Sequence, residues 1–197
     1  MPLLYYIRHG ETDWNVESRL QGRRDIPINA RGRAQARQSG EILRELIARD
    51  GVDATSLDFV ASPLVRARET MELVRATLGL DAKAYGVDPR LAEVAFGAWE
   101  GFTSAELGQR FPDAYAKRET DKWHFTPPQG ESYAAASIRT RAWYGALTRD
   151  TVAVAHGGTL RGLVVQLGIA TLDHAPFLDV SQGVVYVIEP GSIARYA

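Results

Sequence analysis

The chain has no cysteine among its 197 residues. Disulfide scaffolds, thiolate zinc sites and cysteine nucleophiles are excluded, and redox chemistry carries no information on compartment. Long apolar runs are missing as well: the N-terminal stretch from Leu3 to Ile7 is far shorter than a membrane span or a signal-peptide core and has no basic leader. No membrane partner is expected, and a cytoplasmic location is the default expectation. Neither sign of charge dominates. With a formal net charge of -1 there is no basic field to draw in a nucleic-acid backbone, so nucleic acid is not an expected partner. The 18 glycines and 9 prolines are scattered, without low-complexity tracts or repeats of fixed period, which argues against disorder and solenoids. A hydrophobic content of 45% with 24% charged residues is the composition of one globular domain over residues 1–197, with enough core to fold unaided.

Leu3–Ile7 is a continuous apolar stretch that ends abruptly in Arg8-His9-Gly10, the pattern of a buried strand delivering polar groups to a loop. Asp58–Ala61 and Thr151–Ala155 repeat it, ending in Ser62-Pro63 and in His156-Gly157-Gly158; Gly183–Ile188 is a fourth candidate strand. Helical periodicity runs from about Ala30 to Arg49, with Ala36, Gly40, Leu43 and Ile47 on one face, and from Ser62, where serine as N-cap and proline in the first turn predict a helix start. A third helix is predicted after Gly158, stopping at Gly168. Strands alternating with helices predict an α/β fold, a three-layer sandwich with a mostly parallel central sheet. Residues 94–149 differ in texture, being rich in aromatic residues with only helical and loop signals. They read as a cap inserted over the sheet, with Thr103 and Glu106 as a capping box and a further helix near Glu131 carrying Tyr133, Ile138 and Trp143.

In parallel α/β sheets ligands bind beyond the carboxyl ends of the strands. Three candidate strands place Arg8-His9, the Ser62 helix start and His156 at such ends, and four distant stretches would meet there if Glu93 joins them. The residue types suit a dianionic phosphate, because two guanidiniums, Arg8 and Arg66, can fork onto its oxygens and helix N-terminal amides add positive potential. A neutral imidazole beside them can attack phosphorus.

Arg8-His9-Gly10-Glu11-Thr12 with Trp14 and Asn15, then Gln21-Gly22, Ser62-Pro63 with Arg66, Glu93 with Phe96-Gly97, and His156-Gly157-Gly158 with Arg161 together resemble the histidine phosphatase, or phosphoglycerate mutase-like, superfamily. The pieces follow the family's order over nearly the whole chain, and joint occurrence is far more specific than any one motif. The resemblance implies that His9 is the nucleophile, forming a phosphohistidine. Arg8, Arg66 and His156 would bind the phosphoryl group, with Asn15 and the Gly157 amide assisting. Glu93 would protonate the leaving oxygen and then activate water. Gln21 and Gly22 would sit at the pocket mouth. The implied substrate is a small phosphorylated metabolite, and no metal or other cofactor is required.

Taken singly, each residue also has a plain structural reading: His9 or His156 as a loop hydrogen-bonding group, Arg66 as a solvated helix charge, Glu93 as a solvent-facing carboxylate, Gln21-Gly22 as a turn. His124 and His174 lack motif context and read as surface residues. The cap aromatics read as core, with one or two of Trp99, Trp123 and Phe125 lining a cleft. Among functions, hydrolysis of phosphate monoesters leads and mutase activity is second. The mutases resembled carry a basic residue after the glutamate and usually asparagine where this chain has Gly158, whereas Val94, Ala95 and Phe96 follow Glu93 here. A non-catalytic phosphate-binding module conflicts with the presence of both His9 and Glu93, and a metal hydrolase built on His9, His156 and Glu93 lacks ligand pairs at helical spacing.

Overall fold

Apolar stretches with no polar alternation become the inner strands. In a computed structural model describing residues 2–197, β1 (Leu4–Arg8), β2 (Asp58–Ala61), β3 (Gly86–Val87), β4 (Thr151–Ala155), β5 (Val185–Glu189) and β6 (Ser192–Tyr196) form one sheet in the order β3-β2-β4-β1-β5-β6. The first four are mutually parallel, while β5 runs antiparallel to β1 and β6 antiparallel to β5. The sheet is mostly parallel, as predicted. Two strands were not legible: β3 has two exposed residues, and β6, Ser-Ile-Ala-Arg-Tyr, has too little apolar content to stand out from a loop.

Period-2 alternation splits each inner strand between two helical layers. After the short α1 (Asp13–Val16), Tyr5 and Ile7 of β1 and Val152 and Val154 of β4 join Leu43 and Met71 in one buried cluster, beneath α2 (Ala30–Arg49) and α3 (Val65–Thr77). Leu4, Tyr6, Ala153 and Ala155 pack the other way, against Trp143, Leu160 and Leu163, beneath α6 (Tyr133–Gly145) and α7 (Gly157–Gln166). The result is the three-layer sandwich.

The serine-proline signal before α3 marks the helix start two residues early. Leu64 is the N-cap, and its apolar side chain supplies no cap bond; the Ser62 hydroxyl meets His156 Nε2 at 2.7 Å. A third cluster, with Val94, Trp99, Leu107, Trp123 and Tyr133, organises the cap, where α4 (Ser104–Arg110) starts with the predicted Thr103–Glu106 capping box and α5 (Pro112–Thr120) follows. The stretch 94–149 is therefore not uniform, since its last helix, α6, packs on α7 within the sandwich. Ile138 of this helix is 67% exposed; Ala136, Thr140 and Trp143 occupy the buried stripe.

Candidate active site

The carboxyl ends of three parallel strands meet on one side of the sheet. The His9 amide donates to the Ala155 carbonyl at 3.0 Å and the Ser62 amide to the Val154 carbonyl at 2.9 Å, so Arg8-His9, Ser62 and His156 emerge together. The His9 and His156 rings lie 5.2 Å apart between centroids. His9 borders a cavity of about 230 Å³ whose walls also include Arg8, Asn15, Arg66, Glu93 and Gly158, and His156 lies beside His9 without lining it. A larger hollow of about 750 Å³ between Phe59, Arg75 and Tyr85 lies toward the amino end of β2 and contains no histidine.

The nucleophile position is defined by one hydrogen bond. His9 Nδ1 lies 2.8 Å from the Gly10 carbonyl, which can only accept, so Nδ1 carries the proton and Nε2 is left with its lone pair. Burial, reinforced by the neighbouring Arg66 and Arg8 guanidiniums, holds the imidazole well below its ordinary pKa, and the ring is neutral at physiological pH. The same causes, burial foremost, depress His156. Its Nε2 meets the Ser62 hydroxyl at 2.7 Å. The Tyr6 hydroxyl donates to the His156 carbonyl at 2.7 Å and accepts from its amide at 3.1 Å, fixing the start of α7.

Arg66 is fully buried. Its Nη1 and Nη2 donate to the carbonyls of Arg24 and Gly22 at 2.7 and 2.8 Å, and although burial lowers its pKa to about 10, it stays charged. Arg8 Nη1 is tied to the Val180 carbonyl at 2.6 Å. Among the described residues, buried side-chain polar atoms without a partner include Arg8 Nε, Arg66 Nε, His156 Nδ1 and Gln21 Oε1, all from residues of this one site. Leaving such a group unpaired costs about 1–3 kcal/mol, so concentrating them here is a preorganised demand for a ligand. Three of the four are nitrogens, and two of those belong to guanidinium donors, which calls for an acceptor-rich anion.

Glu93 closes the opposite wall, with Oε1 accepting from the Val94 amide at 2.9 Å and Oε2 from the Gly158 amide at 3.3 Å, at the amino end of α7. Asn15 Oδ1 is occupied by the Thr12 amide and by Gln182 Nε2, each at 3.1 Å, leaving its NH2 for a ligand. Gly157 is the first residue of α7, and its amide belongs to the first-turn donors that have no partner within the helix. Gln21 is buried on the cavity wall. Gly22 does not line the cavity; its carbonyl holds Arg66, and with φ +51° and the Glu100 carboxylate against the place of a Cβ, a larger residue is strained there.

Gln182 was not singled out from sequence. Gln182 Nε2 bridges the His9 carbonyl and Asn15, yet a lone glutamine in a loop carries no motif. Phe96, Tyr133 and Arg118 line the cavity, while Trp99, Trp123 and Phe125 do not: Trp99 stacks on Phe125 at 5.1 Å and Trp123 on Tyr133 at 6.0 Å inside the cap. His124 pairs with Asp121 on the surface, and His174 is exposed. Among the described residues no three His, Asp or Glu side chains are grouped as a metal-binding set, and no helix is long and apolar enough to cross a membrane.

Two buried neutral histidines make stability depend on pH. Their folded-state pKa values lie below the unfolded value of about 6.5, so the unfolded chain binds more protons in between, and stability is fully present above pH ~6.5 and lost as pH falls toward the folded values. Each histidine contributes a slope of up to about 1.4 kcal/mol per pH unit. Thermal denaturation from pH 7.5 to 5.5 should give a falling Tm, with a smaller fall in His156→Gln, which removes one titrating ring. A Tm independent of pH across that range would contradict the depressed histidines.

A family model of the histidine phosphatase superfamily (branch 1) matches residues 4–193. Glucosyl-3-phosphoglycerate phosphatase of Mycobacterium tuberculosis is 35% identical over 178 residues, covering 83% of this chain and 74% of that protein. The 2,3-bisphosphoglycerate-dependent phosphoglycerate mutase of Methylobacterium radiotolerans is 32% identical over 192 residues, covering 94% and 88%. Among solved structures, the α-ribazole phosphatase from Shigella flexneri superposes with a TM-score of 0.80 at 29% identity, covering 95% of this chain and 90% of that one. The motifs, the sheet order and the family match over nearly the full length converge: this chain is a phosphatase belonging to the histidine phosphatase superfamily, branch 1.

Proposed function

We propose that the protein hydrolyses small phosphate monoesters in two steps through a phosphohistidine on His9. The observation that carries this reading is the convergence of unpartnered buried donors from Arg8 and Arg66 on a cavity beside an imidazole whose Nε2 is free. In the first step His9 Nε2 bonds to phosphorus, the ester P–O bond breaks, and protonated Glu93 gives its proton to the departing oxygen. In the second, Glu93 as carboxylate takes a proton from water, whose oxygen bonds to phosphorus as the N–P bond breaks. Arg8, Arg66, His156, Asn15 and the Gly157 amide hold the phosphoryl oxygens, supplying fixed donors where charge develops. Gln21 contributes to the mouth, and Gly22 acts through Arg66.

Hydrolysis is favoured over mutase transfer by the wall around Glu93. A Cβ at position 158 would overlap the Glu93 carboxylate and Val94, so the asparagine usual in mutases is crowded there, and Phe96 presents apolar surface to the cavity while Val94 is buried behind it. Phosphate release from 4-nitrophenyl and sugar phosphates should therefore exceed isomerisation of 3-phosphoglycerate primed with 2,3-bisphosphoglycerate. Isomerisation faster than every hydrolysis would overturn the phosphatase reading in favour of the mutase.

A further inference from the structure

The hollow of about 750 Å³ at the amino end of β2 is separate from the phosphoryl pocket. Arg66 of that pocket and Arg75 of this hollow stand on the same helix, α3, about 14 Å apart along its axis. Arg75 is only 6% exposed, and cations that deeply buried are normally paired. Its Nε donates to the Asp81 carbonyl at 2.7 Å, and its guanidinium lies over the Phe59 ring, 4.4 Å from the centroid. Nothing else holds it. Among the described residues Nη1 and Nη2 have no hydrogen-bond partner and no carboxylate within 4.0 Å, and they are not sealed from solvent. The Asp81 carboxylate attracts the guanidinium from farther away but is engaged by the Lys83 amide at 3.0 Å. A residue kept only to tie the Asp81 carbonyl and cover Phe59 would leave both outer nitrogens unused.

The rest of the wall adds positive charge and apolar surface. Lys83 lines it and also has no carboxylate within 4.0 Å, while Asp58, the one acidic side chain among the described residues of the wall, is paired with Arg149 at 3.1 Å. Leu57, Phe59, Leu80 and Tyr85 supply the apolar side.

We infer that this hollow is a second binding site, for a small organic carboxylate with an apolar body. With Nε engaged, Nη1 and Nη2 remain as the pair that forks onto the two oxygens of one carboxylate. The Nε bond and the Phe59 ring fix the guanidinium before a ligand arrives, so little side-chain freedom is lost on binding. Burial strengthens the charge pairing, Lys83 adds attraction at the rim, and the body lies against the apolar side. A volume of about 750 Å³ falls within the roughly 300–1,000 Å³ of typical ligand pockets, enough for a bicyclic acid. The site does not depend on the chemistry at His9.

The test is a titration of the 15N-labelled protein followed by amide chemical shifts, with inorganic phosphate present throughout to occupy the catalytic pocket. The probes are 2-naphthoate and 2-naphthamide, which share a ring system and differ in charge. 2-Naphthoate should give saturable shifts over residues 57–59 and 80–86 and bind about tenfold or more tighter than 2-naphthamide, the scale of one charge-assisted hydrogen bond. Arg75→Gln, which keeps a donor for the Asp81 carbonyl, should abolish that preference. Lys83→Ala, at an exposed position, should keep the fold and weaken 2-naphthoate by about two- to fivefold, the worth of an exposed charge pair. Equal binding of the two probes, saturable shifts only around His9 and Gly157, or no saturation by about 10 mM would overturn the site. Parental affinity in Arg75→Gln, or in Lys83→Ala where the first variant does not keep the parent's spectrum, would overturn it as well.

Discussion

His9→Ala should lose turnover by about four orders of magnitude or more, the scale seen when a covalent nucleophile is removed from a site whose other parts survive. The imidazole is held for attack by the Gly10 carbonyl on Nδ1 and by burial beside Arg66 and Arg8, which keeps it unprotonated. No other side chain offers a lone pair at that place. Arg8 and Arg66 are cations, and the His156 ring is engaged with Ser62 through Nε2. Oxyanion binding should persist in the variant, because the Arg8 and Arg66 donors do not depend on His9, and phosphate should still raise its Tm. Activity within tenfold of the parent would remove His9 as nucleophile.

Arg66→Ala is expected to lower kcat/KM by about two to three orders of magnitude, as for the loss of one preorganised donor to transition-state charge. Its setting makes the effect specific. A fully buried guanidinium, tied to the Arg24 and Gly22 carbonyls with Nε unpartnered, is held by the protein on one side and directed at the ligand on the other. Arg66→Lys should recover little, since an ammonium cannot serve both carbonyls and fork onto phosphoryl oxygens. The chain should still fold, because the change also removes a buried charge. A loss of less than about threefold would return Arg66 to a structural role, well short of the usual cost of a preorganised donor.

The sandwich was legible because its strands are unbroken apolar runs and α2 has a clean 3.6-residue stripe, capped by Asn29. The site was legible where chemistry sits next to a strand end: Arg8-His9 and His156 need only the rule that parallel strands deliver their ends to one side. Arg66 required the resemblance, since nothing in its local sequence distinguishes a fully buried arginine from a solvated one. Ser62 was legible only as a helix cap, whereas in the fold its hydroxyl meets His156 Nε2 and the helix begins after Leu64, which supplies no side-chain cap. The cap resisted most. Its aromatics pair with each other rather than with the cleft, and which cap cation reaches the cavity depends on how α5 packs, which spacing does not encode. Val94 and Phe96 put no positive charge directly after Glu93, and Arg118 and Arg161 reach the cavity from other walls.

The covalent route through His9 is tested most directly by rapid quench of the enzyme with phosphoryl-labelled substrate, followed by peptide mapping of the bound label. Phosphohistidine predicts a label that is labile in acid, stable in alkali, formed no more slowly than phosphate is released, and confined to the peptide containing His9. Steady release of phosphate with no such label at any quench time, or a label mapped to another residue, would contradict it.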